Sequence, residues 1–226
     1  AIVKPTEGSI AIDGLTITGK TKNKYLKPIR KKVGMVFQFA EQQLFEETVL
    51  KDIMFGPLNY GVAPEDAKAR AYELVKQFGM EESILNKSPF ELSGGQMRRI
   101  AIMGVLAMNP DVLILDEPTA GLDPKGQQEI MEMFHQLQRE LNITVILVTH
   151  QMEQAARCDY LYVMHQGTVV EEGTPEAIFS KDLSYYDIHP PHIVTLQRQV
   201  EAKHNIKFPK LALNIETLAD MYKNWR

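Results

Sequence analysis

Four aliphatic residues, Val112-Leu113-Ile114-Leu115, run directly into two acids, Asp116-Glu117. An unbroken apolar run of this length reads as a strand buried on both faces, as in a parallel sheet. Its acidic end would place charge at the carboxyl edge of that sheet, where α/β proteins bind ligands. Two other apolar runs end similarly in polar residues: Val33-Gly34-Met35-Val36-Phe37 in Gln38, and Thr144-Val145-Ile146-Leu147-Val148 in Thr149-His150. Helical patterns fall between them, over Thr48 to Phe55, Pro64 to Phe78, Ser93 to Met108, and from Asp123-Pro124 to about Leu141. Pro64-Glu65-Asp66 has the proline and acids expected of a first helical turn. Strands alternating with helices predict an α/β fold with a mostly parallel core sheet.

The flanks differ from this centre. Ser9 to Asp13 alternates as a strand should, and the basic stretch from Lys20 to Lys32, interrupted by Pro28, reads as a solvated surface. After Val148 a short helix to Arg157 and strands near Tyr160 to Met164 and Thr168 to Val170 are expected. From Gly173 the character changes. A short helix starts at Thr174-Pro175-Glu176, a proline-broken link follows at Asp187 to His192, and helices are expected over Ile193 to His204 and Glu216 to Lys223. His189 and His192 have no companion at metal-ligand spacing and read as loop residues.

Composition narrows the function classes. A chain of 226 residues with 44% hydrophobic content can bury a large core. Its net charge of -4 supplies no basic field for nucleic acid. The longest apolar stretch is far short of a bilayer span. The single cysteine, Cys158, excludes an intrachain disulfide and fits a reducing compartment.

The ordered set Gln38, Leu92-Ser93-Gly94-Gly95-Gln96, Leu113-Ile114-Leu115-Asp116-Glu117-Pro118, Gly121-Leu122-Asp123 and Thr149-His150 resembles the ATPase domain of ABC transporters. The resemblance implies a P-loop NTPase-like fold with an antiparallel β subdomain and a helical subdomain at about 48–109. The ATPase domain would cover 1–172 and a small C-terminal helical dimerisation extension 173–226. ATP and Mg²⁺ are the implied cofactors.

One motif match should be rejected. Gly14-Leu15-Thr16-Ile17-Thr18-Gly19-Lys20-Thr21 fits the P-loop pattern. A P-loop needs a strand before it and an uninterrupted helix after it. Here β-branched residues alternate between the glycines, favouring extended chain, and Pro28 follows closely. The resemblance places Lys4 to Asp13 after the true P-loop helix. The phosphate loop, its strand and the adenine-stacking aromatic residue are therefore expected before Ala1, the alternative being a degenerate ATPase.

The resemblance assigns roles residue by residue. Asp116 and Gln38 would serve Mg²⁺, Glu117 would orient or deprotonate the attacking water, and His150 would contact the γ-phosphate. Ser93, Gly94, Gly95 and Gln96 would contact ATP held by the opposite subunit, and Asp123 would act across the dimer. Without the family, Ser93 and Asp123 read as helix N-caps. Two adjacent acids at the end of a buried strand are costly unless a cation or hydrogen bonds compensate.

The segment Phe37 to Val49, followed by Asp52-Ile53-Met54-Phe55-Gly56-Pro57-Leu58-Asn59, closely resembles the ATPases of energy-coupling factor (ECF) transporters, importers of vitamins or transition-metal ions. Glu91 to Arg99 resembles the second of their two paralogous ATPases. Ala40 stands where proline is usual. The implied partners are a second ATPase subunit in a heterodimer, a membrane-embedded coupling subunit and a substrate-capturing membrane subunit, with no nucleic acid. That would place the chain on the cytoplasmic face of the cell membrane, attached through its partners. Glu41, Glu46 and Glu47, flanking Leu44 and Phe45, are the expected docking face for the coupling subunit. Two rivals stand beside this reading: a non-hydrolysing subunit that completes a partner's ATP site through Ser93 to Gln96, and a non-transport ABC ATPase. Against the second, the chain shows neither long coiled coils nor a second ATPase domain.

Overall fold

Asp13 and Gly14 both take positive φ, 47° and 76°, the geometry of a tight two-residue hairpin turn. They join β1 (Ile10–Ile12) to β2 (Leu15–Ile17), antiparallel with Ile12 opposite Leu15. The P-loop-like match from Gly14 is therefore a turn and a hairpin strand, with no helix directly behind it. Residues 3–225 are described by this computed structural model. After β2 the chain makes a 3₁₀ turn, Asn23–Leu26, and helix α1 (Lys27–Lys32). Pro28 lies in the first turn of α1. It opens that helix instead of breaking it, because its fixed φ suits the first turn and its missing N–H has no partner there to lose. The basic stretch is also less solvated than expected: Leu26 and Ile29 are buried against Ile17.

Next come β3 (Val33–Val36), α2 (Val49–Asn59), α3 (Pro64–Gln77), α4 (Gly94–Leu106), β4 (Val112–Asp116), α5 (Pro124–Leu141) and β5 (Thr144–Val148). The strands form a parallel sheet in the order β3-β4-β5. Its core joins Val36, Leu113 and Leu115 to Ile100, Ile102 and Met103 of α4 and to Ile130, Phe134 and Leu137 of α5. Helix α4 lies close on β3 at Gly34, where an added Cβ would meet Val105 Cγ1 at 2.7 Å. Helices α2, α3 and α4 pack on one another. Helix α2 runs further than expected, through Pro57. On β5, Val145 and Leu147 pack on the core. Ile146 and Val148 point the other way and are 48% and 49% exposed.

The chain divides into two compact units, Ala1–Val148 and Thr149–Arg226. The second holds α6 (Met152–Ala155), β6 (Leu161–His165), β7 (Thr168–Gly173), α7 (Pro175–Phe179), α8 (His192–His204) and α9 (Ile215–Trp225). β6 and β7 pair antiparallel. Val163 of β6 shares a core with Ile178, Phe179, Leu183 and Val194, which joins the hairpin to the segments after it. Compactness thus parts the chain after Val148. The functional boundary at residue 173 remains an expectation from the change in sequence character there.

The close approach at Gly34 makes the sheet-to-helix packing testable. Gly34→Ala should destabilise the first unit by about 1–3 kcal/mol, the usual cost of overpacking, read as a lower denaturation midpoint with an unchanged slope.

Candidate functional site

The parallel register creates the site. Val36 of β3 lies opposite Leu115 of β4. Two residues beyond that pair, in step on the two strands, come Gln38 and Glu117. Their side chains meet: Gln38 Nε2 donates to Glu117 Oε2 at 3.3 Å. The Glu117 backbone N–H donates to Val148 O at 2.9 Å, tying the end of β4 to the end of β5. Glu117 takes φ 45°, a left-handed conformation uncommon outside glycine and often held at functional sites by surrounding structure. That structure is visible here. Ala120 N–H donates to Glu117 O at 3.0 Å, Leu122 N–H to Thr119 O at 3.2 Å, and Pro118 and Thr119 are buried. Asp116 closes β4, and both acids are half-buried.

Beneath this edge lies a residue without an assigned role in the sequence reading. Arg98 of α4 is only 5% exposed. Its Nε and Nη2 donate to the two Glu41 carboxylate oxygens, each at 3.0 Å. Nη1 donates to Pro118 O at 3.3 Å and Ala120 O at 3.0 Å, and Nη2 to Gln38 O at 3.5 Å. One planar fork thus joins α4 to both loops that carry the Gln38–Glu117 pair. Arginine suits this position because its donors are rigidly arrayed and its charge is permanent. A signal was present in the sequence, since a basic residue running into the apolar stretch from Ile100 needs a partner if buried. Which acid would supply it was not legible there.

The pairing also revises the expected docking face. Glu41 turns inward to Arg98, Leu44 is buried, and Glu47 bonds Lys51 Nζ at 2.5 Å. Burial pushes the Asp52 carboxyl up, while the Phe45 and Glu46 N–H groups donate to it at 3.3 and 3.2 Å. Phe45 remains 58% exposed and meets Phe55 edge-on, with ring centroids 4.8 Å apart.

The other motif residues fall at helix starts. Ser93 caps α4 in a full capping box: Gln96 N–H donates to Ser93 Oγ at 3.3 Å, and Ser93 N–H to Gln96 Oε1 at 3.1 Å. The Ser93 hydroxyl also lies 3.2 Å from Gln96 Oε1. Gly94 and Gly95 are exposed, with nothing within 4 Å of where a Cβ would stand, so this helix start is open to close approach. Asp123 caps α5, accepting from Gly126 N–H at 3.2 Å. His150 begins two residues past β5, in the second unit, and is exposed.

Glu41 carries a pH signature. Burial disfavours its charged form, but the Arg98 hydrogen bonds, a backbone bond and the Arg98 charge outweigh that and hold it below the ordinary glutamate range. A depressed carboxyl contributes stability that is complete above its unfolded pKa and is lost as pH falls through its folded value. From about pH 6 to about pH 3 the thermal midpoint of the native chain should therefore fall further than that of Glu41→Gln. Parallel acid limbs in the two melting series would remove this contribution from Glu41.

Comparisons with known proteins bear on the family and the fold. Residues 1–120 match the ABC transporter family. The chain is 54% identical over 222 residues to the energy-coupling factor transporter ATP-binding protein EcfA2 of Geobacillus kaustophilus, covering 97% of this chain and 77% of that protein. It is 52% identical over 221 residues to EcfA2 of Bacillus subtilis, covering 96% and 80%. Among solved structures, cbiO1 from Clostridium perfringens, part of the ABC transporter complex cbiONQ, superposes with a TM-score of 0.72 at 35% identity, covering 91% of this chain and 79% of that one. The bacterial ABC transporter cassette MJ0796, solved as a dimer, has a TM-score of 0.65 at 34% identity, covering 77% and 76%. The parallel sheet, the paired Gln38 and Glu117 and the capped glycine motif thus sit in a chain that belongs to the ABC transporter family, among the ATP-binding proteins of energy-coupling factor transporters.

Proposed function

We propose that the chain is the ATP-hydrolysing subunit of an ECF-type importer for vitamins or transition-metal ions. It works paired with a second ATPase subunit, as a heterodimer, on the cytoplasmic face of the cell membrane. There it drives a membrane-embedded coupling subunit that carries a substrate-capturing subunit. The observation that carries this reading is the Gln38–Glu117 contact at 3.3 Å, at the carboxyl edge of the parallel sheet. Phosphoryl transfer asks mainly for positioning and charge stabilisation, and this pair offers both. The Gln38 amide orients the Glu117 carboxylate, which would take a proton from the attacking water. Its own carbonyl oxygen remains free of that bond and suits a hard cation.

Asp116 and Gln38 would hold Mg²⁺. That ion takes few protein carboxylates and completes its shell with water and phosphate oxygens. The donors here are of that kind: one carboxylate at the end of β4 and one amide oxygen, both hard oxygen ligands. When bound, the ion supplies charge neutralisation for the transferred phosphate. His150 contacts the γ-phosphate, and Asp123 acts at the subunit contact. Ser93 to Gln96 meet ATP held by the partner subunit. There a phosphate oxygen replaces Gln96 as acceptor for the Ser93 hydroxyl, and the start of α4 adds partial positive charge. The dimeric state of the related MJ0796 cassette supports an arrangement in which two chains complete each site.

Two measurements on the assembled transporter test this. Glu117→Gln should keep ATP binding and slow hydrolysis by about 10²- to 10⁴-fold, the usual worth of a positioned base. Unchanged turnover would assign the chain the non-hydrolysing role of completing its partner's site. Ser93→Arg, placed in one chain of a mixed dimer, should stop hydrolysis of the nucleotide held by the other chain. Loss confined to the mutant chain's own nucleotide would reverse the trans assignment.

A further inference from the structure

We infer that Arg98 is a positioning residue for hydrolysis, setting the distance between Gln38 and Glu117 and linking it to the placement of α4. The inference rests on the role proposed above for Glu117. Gln38 and Glu117 sit on separate loops, and neither strand extends far enough to hold their side chains. What the two loops share is the Arg98 guanidinium, which bonds Gln38 O on one and Pro118 O and Ala120 O on the other. The Glu41 carboxylate fixes the orientation of the planar fork by accepting from Nε and Nη2 at 3.0 Å each. With its donors shared among these acceptors, rotating the guanidinium to suit one loop would break its bonds to the other.

The lever is equally direct. Arg98 lies little more than one turn beyond Ser93 on the same helix. A shift of α4, as when its start meets a phosphate group, must move the guanidinium as well. Through it the carbonyl of Gln38 and those flanking the Glu117 turn would follow. Contact at the glycine motif of one site can therefore alter the water-positioning pair beside it without any contact between Ser93 and Glu117. Lysine cannot substitute, because a point charge with three donors cannot span a carboxylate and three carbonyls in fixed directions.

The test is steady-state hydrolysis by the assembled transporter carrying Arg98→Lys, Glu117→Gln or both. Arg98→Lys should lower kcat by about ten- to a hundredfold, the cost of a misplacement near 1 Å, while KM for ATP stays within about twofold. In the Glu117→Gln background the same change should cause no further loss, since two residues acting through one step are not additive. Where Arg98→Lys fails to fold, Glu41→Gln serves in its place: it leaves the Arg98 donors to the carbonyls and removes the charge that orients the fork. It should likewise lower kcat with KM unmoved. A kcat within twofold of the native enzyme in the folded variant, or a full additional loss on top of Glu117→Gln, would overturn the role of Arg98. Unchanged turnover in Glu117→Gln alone would instead strike the reading of Glu117, so the two failures are distinct.

Discussion

The parallel pairing of β3 with β4 is the constraint from which the candidate site follows. Parallel strands run to the same edge, so their last residues must emerge side by side. With Val36 opposite Leu115, Gln38 and Glu117 leave the sheet at the same level. A slip of one residue would turn the buried Val36, Leu113 and Leu115 away from α4 and α5, so burial of the apolar side chains specifies the register. The hydrophobic core and the polar site are therefore one decision. β5 completes it by accepting the Glu117 N–H at Val148 O, which helps hold that residue in its left-handed conformation.

A buried arginine ties this edge to the helical layer. An isolated charge at the depth of Arg98 would be prohibitive, and breaking a buried ion pair by removing one partner costs about 3–5 kcal/mol. Here the charge is met by one carboxylate and three carbonyl oxygens. Those carbonyls belong to loops whose backbone acceptors would otherwise need water. The arrangement satisfies the loops and the arginine together, which favours one conformation of the site over several. Its cost is that the site is sensitive to where α4 lies.

Several elements followed from local chemistry. β5 matches its apolar run end to end, and Pro64, Pro124, Ser93 and Asp123 stand at helix starts as their side chains prescribe. The P-loop-like match failed on equally local grounds, because Asp13-Gly14 is a hairpin turn sequence and the β-branched residues after it extend. Other readings were incomplete because their outcome depended on distant residues. Pro28 looked like an interruption, yet it opens a helix that buries Ile29 against Ile17. Glu41 looked like one of three surface acids, yet it pairs with a residue 57 positions away. Such pairings have no local periodicity, since the partner is chosen by how the sheet and helices stack.

By itself, the amino-acid order determined the strand runs, the helix caps and the residues that end at the sheet's edge, because these depend on side chains within a few positions of one another. Its motifs also pointed to the family. The tertiary structure decided which of those ends meet. It set Gln38 against Glu117 through strand register, turned Glu41 towards Arg98, buried Leu44, and gave Arg98 its place between two loops. Those outcomes depend on packing, in which a buried charge must find its acceptors wherever the core has brought them, and no window along the chain contains both.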